Sequence, residues 1–139
     1  MEKYIQIIII FIFSLFLIGC NDNNKIIFLD DVTISFIENN NYLLDDDLNI
    51  KKNDEIKSKI TIIDDNYYYD LIENINNDNN INILDAGVLN NLNYISYTNN
   101  NIVYYVCLIN EDTKGFILES NLDYNETYKI FKKIKFVRS

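Results

Sequence analysis

The chain has 139 residues, a net charge of −9 and no histidine, proline or tryptophan. This length fits one domain with a short extension and is too small for a TIM barrel or a dinucleotide-binding fold. Because histidine is absent, Ser-His-Asp and Cys-His nucleophile systems and histidine metal sites are excluded.

The first predicted element is an N-terminal signal sequence. Glu2 and Lys3 precede an apolar run over residues 7–18. The run has the length of a secretory signal's hydrophobic region and is shorter than the ~20 residues that span a bilayer. It ends in Leu17-Ile18-Gly19-Cys20, which resembles the lipobox of bacterial lipoproteins.

This resemblance implies that residues 1–19 are a cleaved signal peptide and that Cys20 carries diacylglycerol and fatty acyl chains such as palmitate. Residues 20–25 are then the lipidated N-terminus and a short spacer. Each buried CH₂ contributes ~0.8 kcal/mol, so several chains hold the protein on a bacterial membrane. We expect an extracytoplasmic, cell-envelope location, with inner and outer membrane both open. An ordinary N-terminal transmembrane anchor is the alternative.

Eight short strands are predicted along the mature chain, each rich in Ile, Val, Tyr or Phe and bounded by Asn and Asp clusters. They cover residues 26–29, 32–37, 59–63, 67–72, 81–84, 92–97, 102–109 and 115–118. No stretch between residues 25 and 125 sustains the i, i+3, i+4, i+7 apolar pattern of a long helix. The pattern predicts an all-β fold, a small antiparallel barrel or a sandwich.

Three segments of this chain have features of their own. The run 102–109 is apolar on both faces, which predicts a central strand with a buried Cys107, and residues 110–115 form a hairpin turn after it. Residues 26–56 are predicted as an N-terminal hairpin and an acidic linker. The charged segment 45–59 is a linker or an extended loop, or it holds a short helix at 54–58.

Residues 124–139 form a basic tail, with five positive charges and no acid from residue 129 onward. The apolar spacing slightly favours a short C-terminal helix over a strand. The tail either packs on the acidic domain or contacts anionic lipid headgroups. Nucleic acid is not an expected partner, because a net charge of −9 repels phosphate.

Residues 103–122, VYYVCLINEDTKGFILESNL, resemble the final hairpin of bacterial SH3-like (SH3b) domains. The matching positions are Tyr104, Val106, Gly115-Phe116-Ile117 and Leu122, and Gly87 resembles the glycine that opens the preceding strand pair. The resemblance implies an SH3-like β domain over residues 57–123, with an aromatic-lined groove that binds cell-wall polymers or peptides. Candidate groove residues are Tyr67, Tyr69, Tyr94, Tyr104, Phe116 and Tyr124. The alternative is that these rings fill the core.

The sequence contains no recognisable catalytic or metal-binding motif. EF-hand loops starting at Asp45 or Asp78 place Ile or Leu where the motif needs Gly and Glu. No cysteine pair for zinc, glycine-rich phosphate loop or nucleophile elbow occurs. We therefore predict no enzyme, no cofactor and no metal site.

Three functional hypotheses follow from the sequence. The first is a membrane-anchored lipoprotein whose small β module binds a cell-wall polymer or an envelope protein. The second is a structural or surface-exposed envelope lipoprotein without a small-ligand site. The third is a small hydrolase, which would need a cleft with two carboxylates in unequal environments.

Overall fold

The computed structural model describes residues 23–39 and 41–139, so the predicted signal peptide and Cys20 lie outside the described residues. Ten strands and two helices lie within them. In chain order they are β1 (Asn23–Phe28), β2 (Val32–Glu38), β3 (Leu43–Leu44), β4 (Asn49–Lys52), β5 (Glu55–Asp64), α1 (Asp65–Asn77), β6 (Asn82–Leu89), β7 (Leu92–Asn99), β8 (Ile102–Ile109), β9 (Lys114–Ser120), α2 (Tyr124–Lys132) and β10 (Ile134–Arg138).

The strands form two antiparallel sheets. The large sheet has seven strands in the order β3-β4-β5-β9-β8-β7-β6, and the small sheet has three in the order β1-β2-β10. The predicted antiparallel β architecture is confirmed at this level. The expected small barrel is not found, because no closed barrel occurs among the described residues and the large sheet stays open between β3 and β6.

Other elements pack on both faces of the large sheet, on one of them only in part, so that its apolar residues are buried without closure into a barrel. On one side, here the core face, the small sheet and α2 pack against it around residues such as Tyr105, Phe116 and Phe131. On the other side, here the helix face, α1 packs over Ile63, Ile95 and Val106. A sheet buried on both faces can bury its apolar residues without curling into a barrel.

Strand β8 shows this double burial directly. Val103, Tyr105 and Cys107 point to the core face, while Tyr104 and Val106 point to the helix face. The prediction of a central strand packed on both sides is therefore confirmed. The buried position predicted for Cys107 is confirmed as well, since none of its surface is exposed.

Asparagine pairs make the tight turns of the large sheet. Asn90-Asn91 joins β6 to β7, and Asn100-Asn101 joins β7 to β8, and all four residues have positive φ. Two-residue hairpin turns of type I′ need positive φ at both central positions, and asparagine tolerates it best after glycine. These turns also fix the register, so that Tyr97 lies opposite Tyr104.

Helix α1 corrects the prediction of a strand at 67–72. Asp64 is its N-cap, and the Asp64 carboxylate accepts a hydrogen bond of 2.8 Å from the Tyr67 amide. Tyr68, Leu71, Ile72 and Ile75 pack on the large sheet. Their spacing of i, i+3, i+4 and i+7 is the apolar pattern of an amphipathic helix over only two turns. The neighbouring residues have high strand propensity, which favoured the prediction of a strand.

The acidic segment and the tail also differ from expectation. Residues 45–59 are largely strand, since β4 and the first half of β5 lie there, and the short helix at 54–58 is wrong. In the tail, a helix is confirmed as α2, but β10 follows it. Phe136 of β10 is buried against Phe116, which explains why the tail adds a strand to the small sheet.

Candidate functional site

The six aromatic residues predicted to line a groove lie in three different places. Phe116 is fully buried in the core, and Tyr94 and Tyr124 pack against the same cluster. Tyr69 lies on the solvent side of α1, 61% exposed. Only Tyr67 and Tyr104 lie on the helix face around a common neighbour, Tyr97.

The core-face rings have structural partners. The Tyr94 hydroxyl donates a hydrogen bond of 2.8 Å to Asp85, and its ring packs edge-on against Phe131 with centroids 5.2 Å apart. Tyr124 stacks on Tyr128. These contacts hold the rings within the packed side of the protein, so the structure offers no shared groove for Tyr94, Phe116 and Tyr124.

The helix face is only partly covered by α1. Beside the N-terminal turn of the helix, strand register places one residue from each of four adjacent strands in a continuous row. From β7 to β5 the row runs Tyr97, Tyr104, Glu119 and Lys59. Glu119 and Lys59 are exposed, and Tyr104 is half-buried.

Tyr97 is the centre of this arrangement. Its ring is 6% exposed and stacks on Tyr104, with centroids 4.9 Å apart and ring planes 12° from parallel. Burial, with smaller contributions from the neighbouring Tyr104, Tyr67 and Glu119, raises the pKa of Tyr97 to about 12. Burial and then Glu119 also raise the pKa of Tyr104. A phenol hydroxyl is protonated at neutral pH even without such a shift, so both tyrosines can donate hydrogen bonds.

A shallow groove of about 370 Å³ adjoins the row. Tyr67 forms one wall, Thr61 and Ile117 form the floor, and the N-cap Asp64 lies at the end. Tyr67 is 53% exposed, because the hydrogen bond from its amide to Asp64 fixes it at the first turn of α1, above the sheet. Tyr67, Tyr97, Tyr104, Ile117, Glu119 and Lys59 are called the tyrosine surface below.

Comparison with protein-family models, with curated proteins and with solved structures gives no match for this chain.

The tyrosine surface presents ring faces and a few polar groups. This combination can orient a ligand in a shallow site. Within residues 23–39 and 41–139, no group of three or more acidic or cysteine side chains is arranged to hold a metal ion. Cys107 is buried away from this surface, and burial raises the pKa of its thiol, so it is not a poised nucleophile.

Sequence reasoning missed Tyr97, Ile117, Glu119 and Lys59. The signal for Tyr97 lies in the Asn100-Asn101 turn, because a two-residue turn pairs residues symmetrically about itself and so sets Tyr97 opposite Tyr104. The positions of Glu119 and Lys59 in the row depend on the β8–β9 and β5–β9 registers. No two-residue turn joins these strands, so the sequence does not predict their registers.

Among the described residues, neither helix has the length and apolar character required to cross a bilayer.

Proposed function

We propose that this chain is a bacterial lipoprotein, anchored to a membrane through Cys20, whose β domain binds an extended ligand of the cell envelope on the tyrosine surface. The binding half is carried by one observation, the row of Tyr97, Tyr104 and Glu119 next to the groove at Tyr67. The anchoring half is supported by the sequence Leu17-Ile18-Gly19-Cys20.

A cell-wall glycan fits this surface better than a charged ligand does. Tyr67 and Tyr104 offer partly exposed ring faces, against which the apolar faces of sugar rings can pack. Lys59 can donate hydrogen bonds to ligand hydroxyl or amide groups, and Glu119 can accept them. A peptide of an envelope protein is the second ligand class for the same surface.

We propose a relationship to bacterial SH3-like domains only for the hairpin of β8 and β9, which contains Tyr104, Val106 and Gly115-Phe116-Ile117 of the matching positions. The proposed binding does not require a barrel, since the row of side chains needs only neighbouring strands in an open sheet.

A structural envelope lipoprotein without a ligand site is the second candidate function. The observation that favours it is the packing of Tyr94, Phe116 and Tyr124 in or against the core, which leaves fewer rings for a ligand than the sequence suggested.

The binding test is sedimentation of the full-length protein with purified cell-wall material. Tyr104→Ala should weaken binding about tenfold, because a central aromatic anchor contributes roughly 1.4 kcal/mol or more. Glu119→Gln, at an exposed position, tests the same surface without removing a packed ring. Tyr69→Ala is the matched control and should bind like the wild type.

Equal wall binding by the wild type, Tyr104→Ala, Glu119→Gln and Tyr69→Ala would show that the tyrosine surface is not the binding site. Failure of the wild type to sediment, with no envelope protein captured, would favour the structural lipoprotein. Failure of the wild type to sediment, with capture of an envelope protein that Tyr104→Ala loses, would favour the peptide ligand.

The anchoring test is fractionation of cells that express Cys20→Ser. The wild type should partition with membranes and incorporate labelled fatty acid, whereas Cys20→Ser should lose the label. Retention of a cleaved Cys20→Ser protein in the membrane fraction would contradict lipid anchoring.

A further inference from the structure

The small sheet has one face that no described residue covers. Its inner face carries Val32, Ile34 and Phe36, which are buried in the core. The opposite face, here the outer face, holds the alternate positions of the three strands. These positions are Asn24, Ile26, Phe28, Thr33, Ser35, Ile37, Lys135 and Val137.

Three large apolar side chains stand out on the outer face. Phe28 is 78% exposed, Val137 is 53% exposed and Ile26 is 50% exposed. Strand register sets Phe28, Thr33 and Val137 in one row and Ile26, Ser35 and Lys135 in the next, so these side chains form a single patch. An apolar patch of this kind marks an interaction surface more often than isolated exposed residues do.

The charge of the outer face contrasts with the rest of the protein. The chain carries a net charge of −9, yet no Asp or Glu occupies an outward position of the small sheet, and Lys135 does. The β1–β2 turn holds two acids. Asp31 is bridged by Lys114 at 3.1 Å and Arg138 at 3.4 Å, while Asp30 is exposed. The outer face is therefore apolar and weakly basic on an acidic protein.

The position of this face along the chain is equally informative. Strand β1 begins at Asn23, only three residues after Cys20. Three residues of fully extended chain span at most roughly 11 Å. A lipid on Cys20 would therefore hold the first strand of this sheet next to the bilayer surface.

We propose that the outer face docks on the surface of the phospholipid bilayer in which the acyl chains of Cys20 are inserted. Phe28, Ile26 and Val137 enter the interfacial layer, and Lys135 lies against anionic headgroups. This inference rests on the proposed lipid anchor and adds an orientation to it. Because the tyrosine surface lies on the far side of the large sheet, docking directs it away from the membrane.

The absence of tryptophan allows a direct test with single-tryptophan variants. Lipidated full-length Phe28→Trp is reconstituted into vesicles that contain phosphatidylglycerol and brominated phospholipid. Its fluorescence should shift to shorter wavelength and be quenched by the bromine atoms, because interfacial side chains enter the bilayer by about 5–10 Å. Tyr69→Trp, at an exposed position of α1, is the matched control and should stay unshifted and unquenched.

Three outcomes separate this proposal from the lipid anchor itself. A protein whose Cys20 carries no lipid would overturn both. A lipidated Phe28→Trp protein whose emission matches that of Tyr69→Trp would overturn the docking alone. The introduced indole could also remain shielded from water in detergent, to an extent that depends on protein concentration. That result would overturn the docking as well, because it indicates that a second copy covers the face.

The basic side chain of the outer face gives a separate test of the headgroup contact. Adding Lys135→Glu to Phe28→Trp should reduce the quenching in phosphatidylglycerol vesicles and leave it unchanged in vesicles of neutral lipid. Equal quenching of the two proteins in phosphatidylglycerol vesicles would contradict a contact between Lys135 and anionic headgroups.

Discussion

At Gly115 the backbone of β9 passes so close to β8 that a side chain has no room. A Cβ atom built on Gly115 overlaps the carbonyl oxygen of Cys107 and crowds the backbone of Leu108. Gly87 is different, since a Cβ there would meet only the Tyr94 ring, at distances of 3.4 to 3.6 Å. The two glycines therefore form a matched pair for a test of close backbone approach.

Gly115→Ala should destabilise the protein by about 1–3 kcal/mol, because β9 must move away from β8 to accept the methyl group. Gly87→Ala should change stability by no more than about 0.5 kcal/mol, as expected for an exposed site. Urea unfolding followed by circular dichroism measures both. Equal midpoints for the two variants would show that the backbone at Gly115 adjusts without strain.

The residue scale also shows why the candidate site was only partly predictable. Tyr67 and Tyr104 were predicted and lie on the tyrosine surface, whereas Phe116 was predicted and is fully buried. Phe116 and Ile117 are neighbours on β9 and point to opposite faces. Because the residues on both faces of β9 are apolar, the alternation of residue types along the strand does not show which face is partly exposed.

Between elements, a buried hydroxyl cluster joins β5, β9 and α2. Ser58 Oγ lies 2.9 Å from Ser120 Oγ, and Thr127 Oγ1 lies 3.0 Å from Ser120 Oγ. Thr127 Oγ1 is also 2.8 Å from the carbonyl oxygen of Asp123, the N-cap of α2. The cluster satisfies polar groups that would otherwise be buried without partners, and it fixes α2 against the sheet.

Thr127→Val should destabilise the protein by about 1–3 kcal/mol, since it keeps the shape of the side chain but leaves buried hydroxyl partners unsatisfied. Thr113→Val, on the exposed β8–β9 turn, is the control and should be close to neutral. Thermal unfolding of both variants provides the measurement. A Thr127→Val protein as stable as the control would mean that Ser58 and Ser120 satisfy each other alone.

Among the elements, seven of the eight predicted strands coincide with strands of the structure, while the eighth is α1. Three adjacent tyrosines at 67–69 favour a strand by local propensity. The Asp64 N-cap and the packing of Leu71 and Ile75 on the large sheet outweigh that preference. Strands β3 and β4 were missed because they are only two and four residues long. They form strands by pairing with neighbours, β3 with β4 and β4 with β5.

For the whole molecule, buried tyrosine hydroxyls predict the response to alkaline pH. Burial raises the pKa values of Tyr42, Tyr94 and Tyr97 to about 12 in each case, assisted by hydrogen bonds to Glu126 for the first and Asp85 for the second. In the unfolded chain these groups lose their protons near pH 10. The folded state therefore binds more protons than the unfolded state between about pH 10 and 12, and stability must fall as pH rises through that range.

Unfolding midpoints in urea should be constant up to about pH 9 and should decrease from about pH 10 upward. The midpoint of Tyr94→Phe should decrease less steeply with pH, because this variant lacks the Tyr94 hydroxyl proton that the folded state retains and the unfolded state loses. A midpoint that stays constant through about pH 11.5 would contradict the burial of these hydroxyls.

The small sheet joins the two ends of the described chain, and this has a consequence for the time course of folding. Strand β2 lies between β1 and β10, and the hydroxyls of Thr33 and Ser139 are 2.9 Å apart although 106 positions separate them in the sequence. Contacts between such distant segments form late and lengthen folding. A chain that emerges N-terminus first therefore has an incomplete sheet until β10 arrives. If it is exported unfolded, this sheet is completed only after β10 has crossed the membrane.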